Sequence, residues 1–259
     1  KVLEILVVVG EREGEHSAHE MVHTVNNTEE GLALLGGVTM IRRGNMAWEP
    51  TIRGMSAGQI AVTIDGMKMV GACVDRMDPV TAYVDLDNLR SIDVSKGASD
   101  LSLAQSIGGT LNLQTIRPAF DAPLSMRLKS GVESSSGLVK LQTSVADSWG
   151  DVTARVAAVM RRAGNYTAGS SSEIMRSGFA KENYKLDLGV QPGEGHTVFV
   201  SAIVDRARDI GYPALIMDTR TAESYIVSAE HTWRGVSAIL PVLTTRLYTT
   251  GIHHVMDDY

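Results

Sequence analysis

The second half of the chain is dominated by segments in which apolar and polar residues alternate with period two. These segments follow one another from residue 124 to residue 259 and include 126–133, 139–145, 152–158, 184–191 and 197–205. Successive side chains of a β-strand point to opposite faces, so the pattern predicts strands with one apolar and one polar face. Short turns, such as 134–137 and 191–195, and longer polar links, such as 164–177 and 209–221, separate the segments.

Two architectures are compatible with this alternation. Short turns on one side and longer loops on the other are typical of a transmembrane β-barrel, but a soluble β-sandwich alternates in the same way. No run approaches the roughly 18 apolar residues of a membrane helix, and the apolar run near the start, Ile5–Val9, is far shorter. That observation does not exclude a barrel, because barrel strands are short and only half apolar. The alternation alone leaves both architectures open.

Residues 1–120 are irregular and glycine-rich, and they predict a small α+β domain. A short helix is predicted over Thr28–Leu35, with Thr28 as its cap and Gly36 and Gly37 after its end. The predicted strands are Ile60–Ile64, followed by the turn Asp65-Gly66, then Leu89–Val94 and Thr110–Thr115.

Composition and motifs exclude several classes of function. The apolar fraction of 44% and the charged fraction of 21% indicate a folded chain. The net charge of −6 argues against a nucleic-acid partner, which would require a basic face. No nucleophile–base pair, phosphate loop or carboxylate pair stands out, and Gly108-Gly109 lacks the spacing of a dinucleotide motif. The sequence therefore predicts that the protein is not an enzyme.

Four short blocks in the first half carry a resemblance to a known family. They are, in order, Thr51-Ile-Arg-Gly54, Val62-Thr-Ile-Asp-Gly66, Ile92-Asp-Val-Ser-Lys-Gly97 and Ile107-Gly-Gly-Thr-Leu-Asn-Leu-Gln-Thr115. Their order and spacing resemble the plug domain of TonB-dependent receptors of the Gram-negative outer membrane. The family usually has Glu where this chain has Asp93. The opening segment Leu3–Gly10 resembles, more loosely, the segment that carries the TonB box.

The resemblance implies an α+β plug domain followed by antiparallel transmembrane strands of a 22-stranded barrel. It divides the chain into a TonB-box-like segment at 1–20, a plug domain at 21–120 and the first barrel strands at 121–259. These strands number about seven or eight, so we expect the sequence to be an incomplete record of a longer protein. Arg53, Asp65 and Lys96 are expected inside the lumen or at its periplasmic mouth. The implied partners are the TonB complex on the periplasmic side and outer-membrane lipid.

A narrower resemblance concerns copper. The stretch Gly71–Pro79 is similar to the plug loop of copper-transporting receptors of the NosA/OprC type, as is Gly211–Thr219. In that subgroup a Cys-x-x-x-Met pair on the plug and a His-x-Met pair on the barrel bind copper. The corresponding residues here are Cys73, Met77, His254 and Met256.

These four side chains can be brought to one Cu(I) ion by simple local structure. Cys73 and Met77 would share a face of a helical turn that ends before Pro79. His254 and Met256 would share one face of a strand, with Val255 pointing to lipid. Two thioethers and a thiolate are soft donors that favour Cu(I). The copper would reach the site either as the bare ion or bound to a carrier.

Other interpretations remain at this point. The ligand could instead be a siderophore or another bulky organic molecule, or the chain could be a receptor subunit of a larger surface complex. Cys73 could be a buried small hydrophobic residue. A second group near the N-terminus contains His16, His19, Met21 and His23. These residues either capture metal or belong to a solvated linker.

Overall fold

The alternating segments of the second half form seven long strands. The computed structural model describes residues 2–6, 15–21, 25–98 and 106–258. The seven strands are β9 (Ser125–Glu133), β10 (Leu138–Trp149), β11 (Val152–Ala163), β12 (Phe179–Gly193), β13 (His196–Ile210), β14 (Asp218–Arg234) and β15 (Val242–Asp257). Each pairs antiparallel with its neighbour in sequence, which gives one continuous sheet.

One face of this sheet, the inner face, contacts the first half of the chain, and the other is the outer face. Polar side chains are buried on the inner face, including Lys140, Arg161, Lys181, Lys185 and Asp205. Apolar side chains are exposed on the outer face, including Val139, Leu141, Val156, Leu186, Leu188, Val200, Val227 and Leu247. A soluble sandwich would bury its apolar face, whereas a membrane barrel turns it outward. The predicted barrel strands are therefore confirmed.

The connections between the strands differ at the two ends of the sheet. At one end lie the two-residue turns 150–151 and 194–195 and the segment 235–241. At the other end lie 134–137, the segment 211–217, which is as long as 235–241, and the longest of these loops, 164–178. In outer-membrane barrels the short turns are periplasmic and the longer loops extracellular, and we name the two ends of the sheet accordingly.

The first half contains short elements around a second sheet. Its strands are β2 (Glu15–Ser17), β3 (Val38–Ile41), β4 (Glu49–Ile52), β5 (Ile60–Ile64), β6 (Met67–Lys68), β7 (Leu89–Lys96) and β8 (Gly109–Thr115). Its α-helices are α1 (Ala18–Met21) and α2 (Thr28–Ala33), and its 3-10 helices are Ala57–Gln59, Val80–Tyr83 and Leu86–Asn88. The five-stranded sheet has the order β2-β7-β8-β5-β6, while β3 and β4 form a separate hairpin.

Local chemistry explains where these elements begin and turn. Helix α2 is capped by Asn27, whose side chain accepts a hydrogen bond from the Glu30 amide at 2.7 Å. The cap predicted at Thr28 is therefore one residue too late, and the Thr28 hydroxyl instead donates to the Val84 carbonyl at 2.9 Å. The turn predicted after β5 is present, with positive φ at both Asp65 and Gly66.

The core of the first half is apolar and continues into the inner face of the large sheet. Leu32, Ile64, Leu86, Ile92, Leu111 and Leu113 are fully buried in it, and Ile203, Ile226 and Tyr248 reach it from β13, β14 and β15. Polar contacts also join the two parts: the Lys140 ammonium donates to the Asn26 carbonyl at 2.6 Å and Asn88 donates to Asn183 at 2.9 Å. The first half is thus held against the inner face by both kinds of contact.

The N-terminal segment forms an additional strand, β1 (Val2–Leu6), which pairs antiparallel with β15 from Tyr248 to Thr244. This pairing lies in the half of β15 nearer the periplasmic end. The rest of the TonB-box-like segment, residues 7–10, lies outside the described residues. None of the helices in the described ranges is long and apolar enough to cross a membrane.

Candidate metal centre

The loop Gly71–Pro79 is shaped by a turn rather than a helix. The Arg76 amide donates to the Cys73 carbonyl at 3.2 Å, and Arg76 has a φ of 58°. The helical turn predicted between Cys73 and Met77 is therefore wrong, because a left-handed residue interrupts it. Both side chains nevertheless point into the protein, with exposed fractions of 4% for Cys73 and 2% for Met77.

Asp78 fixes this loop and was not singled out by the sequence analysis. Its carboxylate accepts hydrogen bonds from the amides of Ala72 at 2.6 Å and Cys73 at 2.9 Å, and from the hydroxyl of Tyr83 at 2.7 Å. The loop is closely packed at its start, because a Cβ on Gly71 would lie 2.5 Å from the Asp78 carbonyl oxygen. Asp directly after Met77 is the sequence signal that could have indicated this role, since Asp side chains often bind nearby backbone amides.

The barrel side of the candidate site lies on β15, near its extracellular end. Met256 packs against the buried cluster that contains Cys73 and Met77, and Met256 Sδ lies 3.4 Å from Cys73 Sγ. Two sulfurs that bind one metal at about 2.3 Å each lie at most roughly 4.6 Å apart. The separation of Cys73 and Met256 is therefore compatible with one shared ion.

His254 lies two residues before Met256, on the same inner face, while Val255 is 36% exposed on the outer face. This is the orientation predicted for the His-x-Met pair. His254 Nε2 lies 3.0 Å from the Thr219 hydroxyl of β14. This contact orients the imidazole and leaves its other ring nitrogen for a further partner. Within the described ranges, no three His, Cys, Asp or Glu side chains form a potential metal site.

Two extracellular loops cover the site. The buried Tyr212 donates from its hydroxyl to the Met77 carbonyl at 2.5 Å, and Asp218 accepts from the Tyr212 amide at 2.9 Å. Asp218 also accepts two hydrogen bonds from Arg176, at 2.7 and 2.8 Å, which ties loop 164–178 to loop 211–217. Burial and the neighbouring Asp78 raise the pKa of Tyr212 above its ordinary range, so the hydroxyl keeps its proton. Tyr212 therefore links the loop Gly71–Pro79, called the plug loop below, to loops 164–178 and 211–217.

A second group of plug side chains is buried against the inner face. Asp85 and Asp87 form ion pairs with Lys140, and Asp85 lies 3.2 Å from Arg161 Nε. Burial by itself would raise the pKa of Asp85, but Lys140 and Arg161 outweigh it and hold the pKa below its usual range. These contacts attach the segment Val80–Asn88, which directly follows the candidate site, to β10 and β11.

Other residues singled out in the sequence lie elsewhere. Asp65 accepts hydrogen bonds from the Thr115 amide at 2.8 Å and the Thr115 hydroxyl at 2.6 Å, and it lines a cavity of about 390 Å³ together with Arg117, Glu230 and Arg246. Arg53 and Lys96 are exposed. In the N-terminal group, His16 is exposed and Met21 is buried. His23 and the side chain of His19 lie outside the described residues.

Comparison with known proteins agrees with this architecture. Residues 17–110 match the family model of the TonB-dependent receptor plug domain. No curated protein sequence matches the chain significantly.

Three solved structures share this fold. The copper transporter OprC has a TM-score of 0.85 at 21% identity, over 95% of this chain and 38% of its own. The FrpB iron transporter of Neisseria meningitidis (F3-3 variant) has a TM-score of 0.77 at 16% identity, over 93% and 41%. The siderophore receptor PirA of Acinetobacter baumannii has a TM-score of 0.72 at 13% identity, over 93% and 40%. This chain thus spans about two fifths of the length of these structures. Residues 17–110 are thus similar to a TonB-dependent receptor plug domain, and the chain shares with these structures the fold of such a domain followed by antiparallel strands.

Proposed function

We propose that the protein imports copper across the outer membrane and binds it as Cu(I) between plug and barrel. The observation that carries this proposal is the 3.4 Å contact between Cys73 Sγ on the plug and Met256 Sδ on β15. This contact brings together two sulfur donors whose residues lie 183 positions apart in the sequence. Met77 lies in the same buried cluster, and His254 lies on the same face of β15 as Met256.

The chemistry of the four side chains selects among metals. A thiolate, two thioethers and an imidazole suit Cu(I), whereas Ca²⁺ and Mg²⁺ prefer oxygen ligands. Zinc accepts Cys and His, but thioethers are not among its usual ligands. One thiolate and one Cu(I) ion have no net charge together, so the filled site avoids the large cost of burying an unbalanced charge.

The position of the site suits import. Its ligands come from the plug and from a barrel strand, so a movement of the plug would separate them and release the ion from the barrel ligands. Energy for this movement would come from the TonB complex, which would bind the N-terminal segment by adding a strand to it. The extended conformation of β1 is the form that such pairing requires.

Import of an organic iron complex is the second candidate function. It is favoured by the similarity in fold to the FrpB iron transporter and to the siderophore receptor PirA, at TM-scores of 0.77 and 0.72. Metal analysis of the intact receptor, purified without chelators, separates the two candidates. A copper importer retains copper, whereas a receptor for an organic ligand is free of it.

The decisive experiment measures copper stoichiometry in variants of the intact receptor. We expect Cys73→Ala to lose nearly all bound copper and His254→Ala to lose much of it. Met126→Leu serves as a matched control, because Met126 is an exposed methionine near the periplasmic end of β9 and its loss should leave the stoichiometry unchanged. Near-stoichiometric copper in the Cys73→Ala variant would contradict the proposed site.

A further inference from the structure

We infer that Cys73 and Met77 form a half-site on the plug that holds Cu(I) without the barrel ligands, and that Asp78 is the positioning residue that keeps this half-site in shape. The inference rests on the proposed copper function. It predicts which side of the site keeps the ion when plug and barrel separate.

The first argument is the number of contacts that Asp78 makes within its own loop. Oδ1 accepts from the Cys73 amide, and Oδ2 accepts from the Ala72 amide and the Tyr83 hydroxyl. Asp78 is 3% exposed, so these hydrogen bonds are protected from water. A charge-assisted hydrogen bond is stronger than a neutral one. The carboxylate therefore closes the segment from Ala72 to Asp78 into a fixed ring.

The second argument is that this ring depends only on plug residues. Ala72, Cys73, Asp78 and Tyr83 all belong to the plug domain, and the Arg76 amide closes the turn on the Cys73 carbonyl. Burial and the Asp78 carboxylate both raise the pKa of Tyr83, so its hydroxyl remains a donor. A plug movement would break the hydrogen bond from Tyr212 to the Met77 carbonyl, but it would carry Cys73 and Met77 together with the contacts of the ring intact.

The third argument is electrostatic. Both oxygens of Asp78 are already occupied by donors, and an oxygen is a poor ligand for Cu(I), so Asp78 is not itself a ligand. Its negative charge nevertheless lies beside the backbone of Cys73 and favours a cation there. The barrel ligands, an imidazole and a thioether, are neutral when they bind metal. The anionic side of the divided site is thus the plug, and Cu(I) should remain with it.

The test is a Cu(I) titration of the intact receptor without oxygen, in competition with a chromophoric Cu(I) chelator. Asp78→Asn keeps the shape of the side chain but replaces one acceptor oxygen by a donor, so we expect the Cu(I) affinity to fall about 10- to 100-fold. Asp75→Asn removes the same charge from the same loop at an exposed position, and we expect its affinity to match the wild type. Tyr83→Phe removes one donor to Asp78, and we expect a loss of about fivefold.

The double variant His254→Ala/Met256→Ala tests the half-site directly. We expect it to bind one Cu(I) more weakly than the wild type, with two sulfur ligands in its X-ray absorption spectrum. Adding Asp78→Asn to this variant should abolish binding. Each variant is first checked for a folded barrel by its heat-dependent mobility in gels.

Each outcome identifies what fails. Wild-type affinity in a folded Asp78→Asn receptor would overturn the role of Asp78, and complete loss of Cu(I) in the double barrel variant would overturn the half-site. In both cases the proposed copper function would stand, because the wild type still binds. A wild-type receptor that binds no Cu(I) would overturn the proposed function and the inference together.

Discussion

At the scale of single residues, Gly71 is the position where one added carbon tests the shape of the plug loop. An alanine Cβ there would lie 2.5 Å from the Asp78 carbonyl oxygen and 2.8 Å from Asp78 Oδ1. Because both are parts of a buried, hydrogen-bonded residue, the loop must open to accept the methyl group. We expect Gly71→Ala to weaken Cu(I) binding about tenfold or more, measured by the same competition titration.

The matched control for this prediction is Gly36→Ala. A Cβ at Gly36 would meet no atom within 4 Å, so the substitution should leave both stability and Cu(I) binding unchanged. Equal Cu(I) affinities for Gly71→Ala and Gly36→Ala would show that the plug loop tolerates the change, contrary to our expectation.

The buried ion pairs of Asp85 predict how the free energy of unfolding depends on pH. Replacing it by Asn leaves Lys140 and Arg161 buried with less opposing charge, which costs about 3–5 kcal/mol of stability at pH 7. The pKa of Asp85 is lower in the folded protein than in the unfolded chain, so its contribution is complete above about pH 4 and is lost as the pH falls through the folded value.

The stability difference between wild type and Asp85→Asn should therefore shrink in strong acid. Urea unfolding of both proteins at pH 7 and at pH 3 measures it, with the exposed Asp75→Asn as the control. A difference that stays constant between these pH values would contradict the assignment of charge to Asp85.

Residues of the candidate site differ in how far the sequence predicts them. The orientation of His254, Met256 and Val255 follows from the two-residue period of a strand, and the structure has that orientation. The meeting of Cys73 with Met256 depended on a resemblance, because no local rule brings together residues 183 positions apart. The roles of Asp78 and Tyr212 were missed. Asp directly after Met77 was an available signal, whereas the hydrogen bond from Tyr212 to the Met77 carbonyl spans 135 positions and has no local signal in the sequence.

At the scale of elements, we expect the outer face of β12 to tolerate a charged side chain poorly near the middle of the strand. Leu188 is 44% exposed on the outer face, near the middle of the strand, and its partner residues are Ala154 of β11 and Val200 of β13. Leu188→Arg would place a charge in the hydrocarbon layer, at a cost of about 2–4 kcal/mol near the midplane. Urea titration of the receptor folded into lipid vesicles measures this cost.

Met160→Arg provides the comparison for depth. Met160 is also on the outer face but lies beside Glu182, nearer the extracellular end. There an arginine should cost about 0–1 kcal/mol, because it reaches the headgroup region. Equal costs at the two positions would argue against a membrane around this face.

Elements were predicted well where the periodicity was long and poorly where contacts override it. The long strands of the second half follow the alternation, whereas β5, β7 and β8 lie in the irregular first half and are buried at most positions. The hairpin of β3 and β4 was not predicted, because β4 (Glu49–Ile52) is short and contains Pro50, which sequence rules associate with the ends of strands. The helical turn from Cys73 to Met77 failed because hydrogen bonds to Asp78 hold the backbone in another shape.

At the scale of the whole molecule, the proposed function assigns to the N-terminal segment the coupling of transport to the TonB complex. Deleting residues 3–9 should abolish copper uptake and leave Cu(I) binding intact, because the segment contributes no ligand. Uptake of radioactive copper by cells and the titration of the purified receptor measure the two properties separately. Unchanged uptake by the deletion variant would exclude this role.

The buried thiol described above also makes the molecule a reporter of its own opening. Cys73 is the only cysteine in the sequence and is shielded from solvent. A maleimide can react with it only when the plug loop leaves the cover formed by Tyr212, so the rate of alkylation measures how often this happens. We expect slow labelling at rest, slower labelling with bound Cu(I), and fast labelling in energised cells, read by mass spectrometry of the peptide that contains Cys73. If energised cells label no faster, the loop stays closed during transport, and the ion must leave the site by ligand exchange in place.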